Sequence, residues 1–205
     1  MNGLADCYQA LGRHAEALKL REEALALQKA RLGPDHPDVL KSMHNLAWSY
    51  QALSRHAEAL KLFEETLALR KAKLGADHPD TLVSRLGVAS GLVQLGRGAE
   101  AAADCRRAAE AWEKLVGFDA DSLYKYTAAC FRAVTAAALR AADQSPAGAK
   151  QAEAEAGRAM AWLERAVAAG YHDAAAITAD HELDALRHRA DFKELLARLR
   201  AARPK

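Results

Sequence analysis

A unit of 42 residues is written out almost twice in succession, and nothing else in the chain restricts its fold as strongly. Residues 4–45 and 46–87 align without a gap and are identical at 29 of the 42 positions. Self-similarity at such a period marks a stacked architecture, in which each unit buries its apolar face only against its neighbours. The most distinctive part is the connector Leu32-Gly33-Pro34-Asp35-His36-Pro37-Asp38, which returns as Leu74-Gly75-Ala76-Asp77-His78-Pro79-Asp80.

Each unit reads as two helices. Proline suits a first helical turn, where its missing N–H is not needed, so a helix A is predicted to open at Pro37 with Asp35 or His36 as its cap. Along it Leu40, Met43, Leu46, Ala47, Tyr50 and Leu53 recur at three- and four-residue steps and make one apolar stripe. Ser54-Arg55 gives a short turn, as Gly12-Arg13 and Gly96-Arg97 do in the neighbouring copies. A helix B then runs from about His56 to Leu74, with Ala59, Leu62, Phe63, Thr66, Leu67 and Leu74 on its buried side, and Gly75 is expected to end it as a left-handed cap. Met1 aligns with Met43, well inside helix A, so the first copy lacks about two turns, and a start further upstream or a fragment of a longer protein is expected.

Two antiparallel helices per unit, with Asn45-Leu46-Ala47, Tyr50, Ala59 and Phe63 at the interlocking small and large positions, resemble the tetratricopeptide repeat. The 42-residue period and the Leu-Gly-x-Asp-His-Pro-Asp connector look like the longer variety found in kinesin light chains. The resemblance is strongest over residues 2–82 and continues to about residue 116, where Gly87, Val88, Ala89, Gly91 and Leu92 replace Asn45, Leu46, Ala47, Ser49 and Tyr50. It implies an all-α, right-handed α-solenoid of antiparallel helix pairs. Three units are expected over residues 1–116, the first truncated, with an irregular fourth pair over 117–170 and capping helices over 171–205.

In the fourth pair, helices are predicted over 123–142 and from Pro146, capped by Ser145, to about Ala169. Alanine enrichment there points to close helix packing, with Tyr124, Tyr126, Phe131 and Trp162 as bulky anchors. A short turn at 180–186 and an amphipathic helix from Asp191 follow. The segments 159–171, 183–187 and 192–196 resemble the end of tetratricopeptide regions that follow the kinase domain in bacterial serine/threonine kinases.

Composition narrows function. Half of the residues are apolar (51%), only 6% are aromatic, and 29 basic residues against 27 acidic ones leave a formal charge of +2. Signs alternate along the chain, so no general electrostatic case for nucleic acid arises. No apolar run approaches the roughly 18 residues of a membrane span, and no signal-peptide pattern follows Met1. Cys7, Cys105 and Cys130 are far apart, odd in number and without metal-ligand spacing, so a reduced, cytoplasmic chain with no metal and no cofactor is expected. The last helix carries Phe192, Leu195, Leu196 and Leu199 beside a basic face; a solvated cap is the reading adopted over a membrane or RNA surface.

Catalytic patterns are incomplete. Gly87-Val88-Ala89-Ser90-Gly91 has its serine one place too late for a nucleophile elbow. His181-Glu182 lacks a histidine at position 185, which is Ala185. Gly96-Arg97-Gly98 joins two helices and follows no strand. His36 and His78 belong to turn geometry, and His14 and His56 to packing. No enzyme site is expected.

A binding surface is expected instead. Lys41, His44, Asn45, Trp48, Gln51 and Ala52 share a second face of helix A. The family resemblance places such faces on the concave side, where they contact a peptide or helical segment. By alignment the first copy adds Asn2, Asp6 and Gln9, and the third adds Val83, Leu86, Ser90 and Gln94. Trp48 is the candidate anchor, either exposed or packed on a neighbouring helix, and Asn45 matches a family position whose amide clamps a peptide backbone. The function this implies is a non-enzymatic interaction scaffold for a protein or peptide, with self-association open. The alternative is the regulatory, substrate-recruiting region of a bacterial serine/threonine kinase.

Overall fold

The computed structural model describes Ala5, Tyr8 and residues 13–116 and 120–201, and every regular element among them is helical. The elements are α1 (His14–Leu32), α2 (Pro37–Ala52), α3 (His56–Leu74), α4 (Pro79–Gln94), α5 (Gly98–Val116), α6 (Ser122–Ala142), α7 (Pro146–Ala168), α8 (Ala174–Ala179), a 3-10 turn (His181–Leu186) and α9 (Ala190–Ala201). The chain divides into two compact units, Met1–Gly91 and Leu92–Lys205, and the division falls within α4. No helix among the described residues is long and apolar enough to cross a membrane.

In the first unit the connectors work through their histidines. Nδ1 of His36 accepts from the Asp38 N–H at 3.2 Å, and Nδ1 of His78 accepts from the Asp80 N–H at 3.1 Å. Each satisfies one of the orphan donors of a helix start, with Pro37 and Pro79 in the first turn. Gly75 departs from the expected left-handed cap. Its φ is 92°, but its ψ of 166° lies in an extended region essentially reserved for glycine. The Gly75 N–H still closes the last turn on the Lys71 carbonyl, and the chain leaves extended to reach Pro79.

The cores follow the stripes. Leu18 and Leu25 of α1 pack with Val39, Leu40, Met43 and Leu46 of α2. Ala47 and Ala59 form a second cluster with Phe63, which is fully buried. The Phe63 ring lies so close to Gly87 of α4 that a Cβ there would sit 2.5 Å from Cδ1. Leu74, expected inside, is 37% exposed because it ends α3 at the rim of a cleft.

The second unit is closed by alanine faces and one ionic network. Ala128, Ala129, Ala133, Ala136 and Ala138 of α6 are completely buried, which allows α5 and α7 to approach its backbone closely. Arg132 of α6, 2% exposed, donates from Nε to Oε1 of Glu113 on α5 at 2.8 Å and from Nη1 to Oε2 of Glu155 on α7 at 3.0 Å. Burial would push the Glu113 carboxyl up, but the Arg132 guanidinium and the Trp162 N–H outweigh burial and hold it below its ordinary value. Trp162 is therefore half-buried and polar in role, its indole donating to Glu113 at 2.5 Å under the Arg165 guanidinium. Of the other expected anchors Phe131 and Tyr126 are buried, whereas Tyr124 is 42% exposed and stacks on Trp112.

Ser145 caps α7 as expected, accepting from the Gly148 N–H, and Asp121 caps α6 through the Tyr124 N–H. The short α8 was not anticipated; its signal is Asp173, which accepts from the N–H groups of Ala175 and Ala176. Phe192, Leu195, Leu196 and Leu199 of α9 are all buried, so its apolar side belongs to the core.

Two substitutions test this packing by urea unfolding followed by circular dichroism. Gly87→Ala forces a methyl into the Phe63 ring and is expected to destabilise the first unit by about 1–3 kcal/mol. Arg132→Ala breaks the buried ion pairs to Glu113 and Glu155, leaving Glu155 only the more exposed Arg158 and Arg106, and is expected to cost about 3–5 kcal/mol in the second.

Candidate functional site

The second face of α2 does not reach solvent uniformly. Lys41, Asn45 and Ala52 are exposed, Trp48 is half-buried, and His44 and Gln51 are buried. A single helix face spans more arc than one groove can leave open, and α3 and α4 decide which part is covered. Trp48 lies edge-on to Phe63 with ring centroids 5.0 Å apart, and its indole donates to Nε2 of His44 at 2.9 Å. It is thus held in place by its own unit while keeping part of its surface open.

Gln51 and Ser90 turn to each other. The Gln51 amide donates to Oγ of Ser90 at 2.7 Å, and both residues are only 2% exposed. Their polar side chains were expected to meet water; the close approach of α2 and α4 pairs them inside instead. Leu86 is also buried, Val83 is half-buried, and Gln94 is half-buried with its amide 3.4 Å from Asp184. Asn2, Asp6 and Gln9 lie outside the described residues. In the column of Asn45, Gly87 has no amide to offer because that space holds the Phe63 ring.

Lys41, His44 and Asn45 border a cleft of about 520 Å³ with Arg70, His78, Asp80 and Val83. Arg70, 5% exposed, was missed from sequence because helix B was read only as a packing surface. Its signal is spacing: Phe63, Thr66 and Arg70 follow one buried stripe, and an arginine there replaces Gln28 of the preceding copy. Its Nη1 donates to the Asp80 carbonyl and to Oγ of Ser84, both at 2.9 Å. Neither acceptor is an anion, and burial holds the guanidinium below its ordinary pKa, with Asp80 acting in the opposite sense. A buried cation bonded to neutral oxygens at the side of a cleft favours an anionic guest.

His44 supplies a second polar element. An indole N–H can only donate, so Nε2 of His44 is an acceptor and the ring proton sits on Nδ1. Nδ1 is buried without a hydrogen-bond partner. Burial, with the Arg70 charge beside it, pushes the His44 pKa down to about 3.

In the second unit a separate polar cluster surrounds Cys130 of α6. The Tyr126 hydroxyl donates to Oδ2 of Asp180 at 2.6 Å, the Glu182 N–H donates to Oδ1 of Asp180 at 2.8 Å, and Sγ of Cys130 lies 3.8 Å from Oδ2. Tyr126 stacks on Tyr171 at 4.3 Å. Burial pushes both the Cys130 thiol and the Glu182 carboxyl well up, with Asp180 adding to each shift. Sequence spacing could not find this group, since its members come from elements about 50 residues apart.

Residues 1–72 and 49–114 match the family model of the tetratricopeptide repeat. Among solved structures, a protein of Podosopora anserina described as a kinesin light chain with nearly identical TPR-like repeats is 27% identical, with a TM-score of 0.60 over 98% of this chain and 92% of that one. A variant of the same protein is 26% identical, with a TM-score of 0.61 over 98% of this chain and 91% of its own. None of the curated proteins matches.

The His44 environment predicts a pH effect. Its folded pKa lies below the unfolded value, so the unfolded chain binds the extra proton first. This contribution to stability is complete above about pH 6.5 and is lost as pH falls toward 3, with a slope of up to about 1.4 kcal/mol per pH unit. Replacing His44 with Leu is expected to flatten that limb in urea melts, and the His44 imidazole signal in NMR of the wild type is expected not to titrate between pH 5 and 8.

Proposed function

The chain belongs to the tetratricopeptide-repeat family, and we propose that it is a non-enzymatic, cytoplasmic interaction scaffold that captures a peptide or helical segment of a partner on the helix-A face of α2. The observation that carries this reading is the cleft in which exposed Lys41 and Asn45 stand beside the buried Arg70 guanidinium. A carboxylate side chain of the partner would enter there, paired with Lys41 and Arg70, while the Asn45 amide holds its backbone. Trp48 provides the apolar contact next to it, pre-set by Phe63 and His44 so that little side-chain freedom is lost on binding. His44, Gln51 and Ser90, included in the face from sequence, act behind it: they fix Trp48 and the α2–α4 spacing.

Three polar contacts of unequal exposure and one aromatic ring suit a transient complex, with affinity falling as salt rises. The cysteines fit a reducing compartment, since Cys105 and Cys130 are free and buried.

Panning a random-peptide display library on the intact chain is expected to enrich acidic sequences with one apolar residue near the carboxylate. A synthetic peptide of that type is expected to bind about 10–100-fold more weakly to the Lys41→Ala/Asn45→Ala/Trp48→Ala variant, with helical circular dichroism unchanged. Equal binding by wild type and variant would remove the α2 face from consideration.

A further inference from the structure

We propose that Cys130, Asp180 and Glu182 form a binding site for one divalent transition-metal ion of the zinc type, tying the carboxyl-terminal segment to α6. One ligand atom from each residue, a thiol sulfur and two carboxylate oxygens, lies within 4.8 Å of the others. Bonds of about 2.3 Å to sulfur and about 2.0–2.2 Å to oxygen would set tetrahedral ligands roughly 3.5 Å apart. The cluster therefore needs to close by at most about 1.3 Å.

A second observation points to a guest. Glu182 is 8% exposed, and its Oε1 is buried with no hydrogen-bond partner. The Tyr126 hydroxyl and the Glu182 N–H both bond to Asp180, and the nearby Arg187 donates to the carbonyls of Thr178 and Asp180 and to Asp184. Among the described residues, no lysine, arginine or histidine forms an ion pair with Asp180 or Glu182. A buried Glu182 carboxyl with an unpartnered oxygen, beside the partly exposed Asp180 and with no cation paired to either, favours a bound cation.

The donor set selects the class. A thiolate beside two carboxylates suits a borderline ion such as zinc or cobalt rather than magnesium or calcium, which take oxygen ligands alone. On binding, the Cys130 S–H proton and the proton held by the Glu182 carboxyl pass to solvent as the metal–sulfur and metal–oxygen bonds form. Three protein ligands leave a fourth position for water.

The test uses the full chain, stripped with chelator and titrated with cobalt(II) and zinc(II). The expected result is one equivalent bound, a thiolate-to-cobalt charge-transfer band, and a zinc-dependent rise in Tm. Cys130→Ser should abolish the band and Glu182→Gln should weaken binding at least tenfold, while Cys105→Ser keeps both. Absence of saturable binding, or binding that survives Cys130→Ser and Glu182→Gln, overturns the proposal. Should Cys130→Ser not fold, zinc affinity of Glu182→Gln, checked by circular dichroism, makes the same decision.

Discussion

Phe63 lies against the backbone of Gly87, and the first unit is arranged around that contact. A phenyl ring can approach a helix so closely only where no Cβ stands in the way, so α3 and α4 are spaced by one bulky and one absent side chain. The ring's other side meets Trp48 and His44, with centroids 5.0 and 5.4 Å away. Core packing and the candidate binding face therefore share one residue. The preceding copy has Arg21 at the Phe63 position, and its guanidinium donates to Ser49 of α2, one helical turn beyond Asn45, the counterpart of Gly87. One column thus serves two different helix contacts, polar in one copy and aromatic in the next.

This explains why near-identity between the copies does not give two equal binding surfaces. Three of the positions that differ, Arg21 and Phe63, Gln28 and Arg70, Asn45 and Gly87, lie where one helix pair meets the next or where the cleft opens. The identical positions maintain the hairpin. Where Phe63 demands glycine, a side-chain amide is lost from the helix-A face, and where Arg70 replaces glutamine, a cation enters the cleft.

The second unit uses a different means of holding helices together. Arg132 bonds to Glu113 and Glu155 across α5, α6 and α7, at a desolvation cost that is tolerable only because both carboxylates are placed for hydrogen bonding. Alanine faces bring these helices close enough for that geometry. At Cys130 the same tight packing encloses Glu182, beside the partly exposed Asp180, and among the described residues no arginine pairs with either carboxyl.

Helix limits, caps and the family were legible from sequence because they depend on local or periodic signals: proline and histidine at the connectors, apolar spacing along each helix, Ser145 before Pro146. The extended ψ of Gly75 was not legible, since positive φ alone does not say which way the chain leaves. Nor was the burial of His44, Gln51 and Ser90, because a side chain on a polar face is covered or open according to how near the next helix lies, and Phe63 against Gly87 sets that distance here. The sequence by itself determined that this chain builds helix hairpins and stacks them. The tertiary structure alone decided that Arg70 borders a cleft and that Cys130 meets Asp180 and Glu182, since those meetings depend on contacts between elements that no local pattern records.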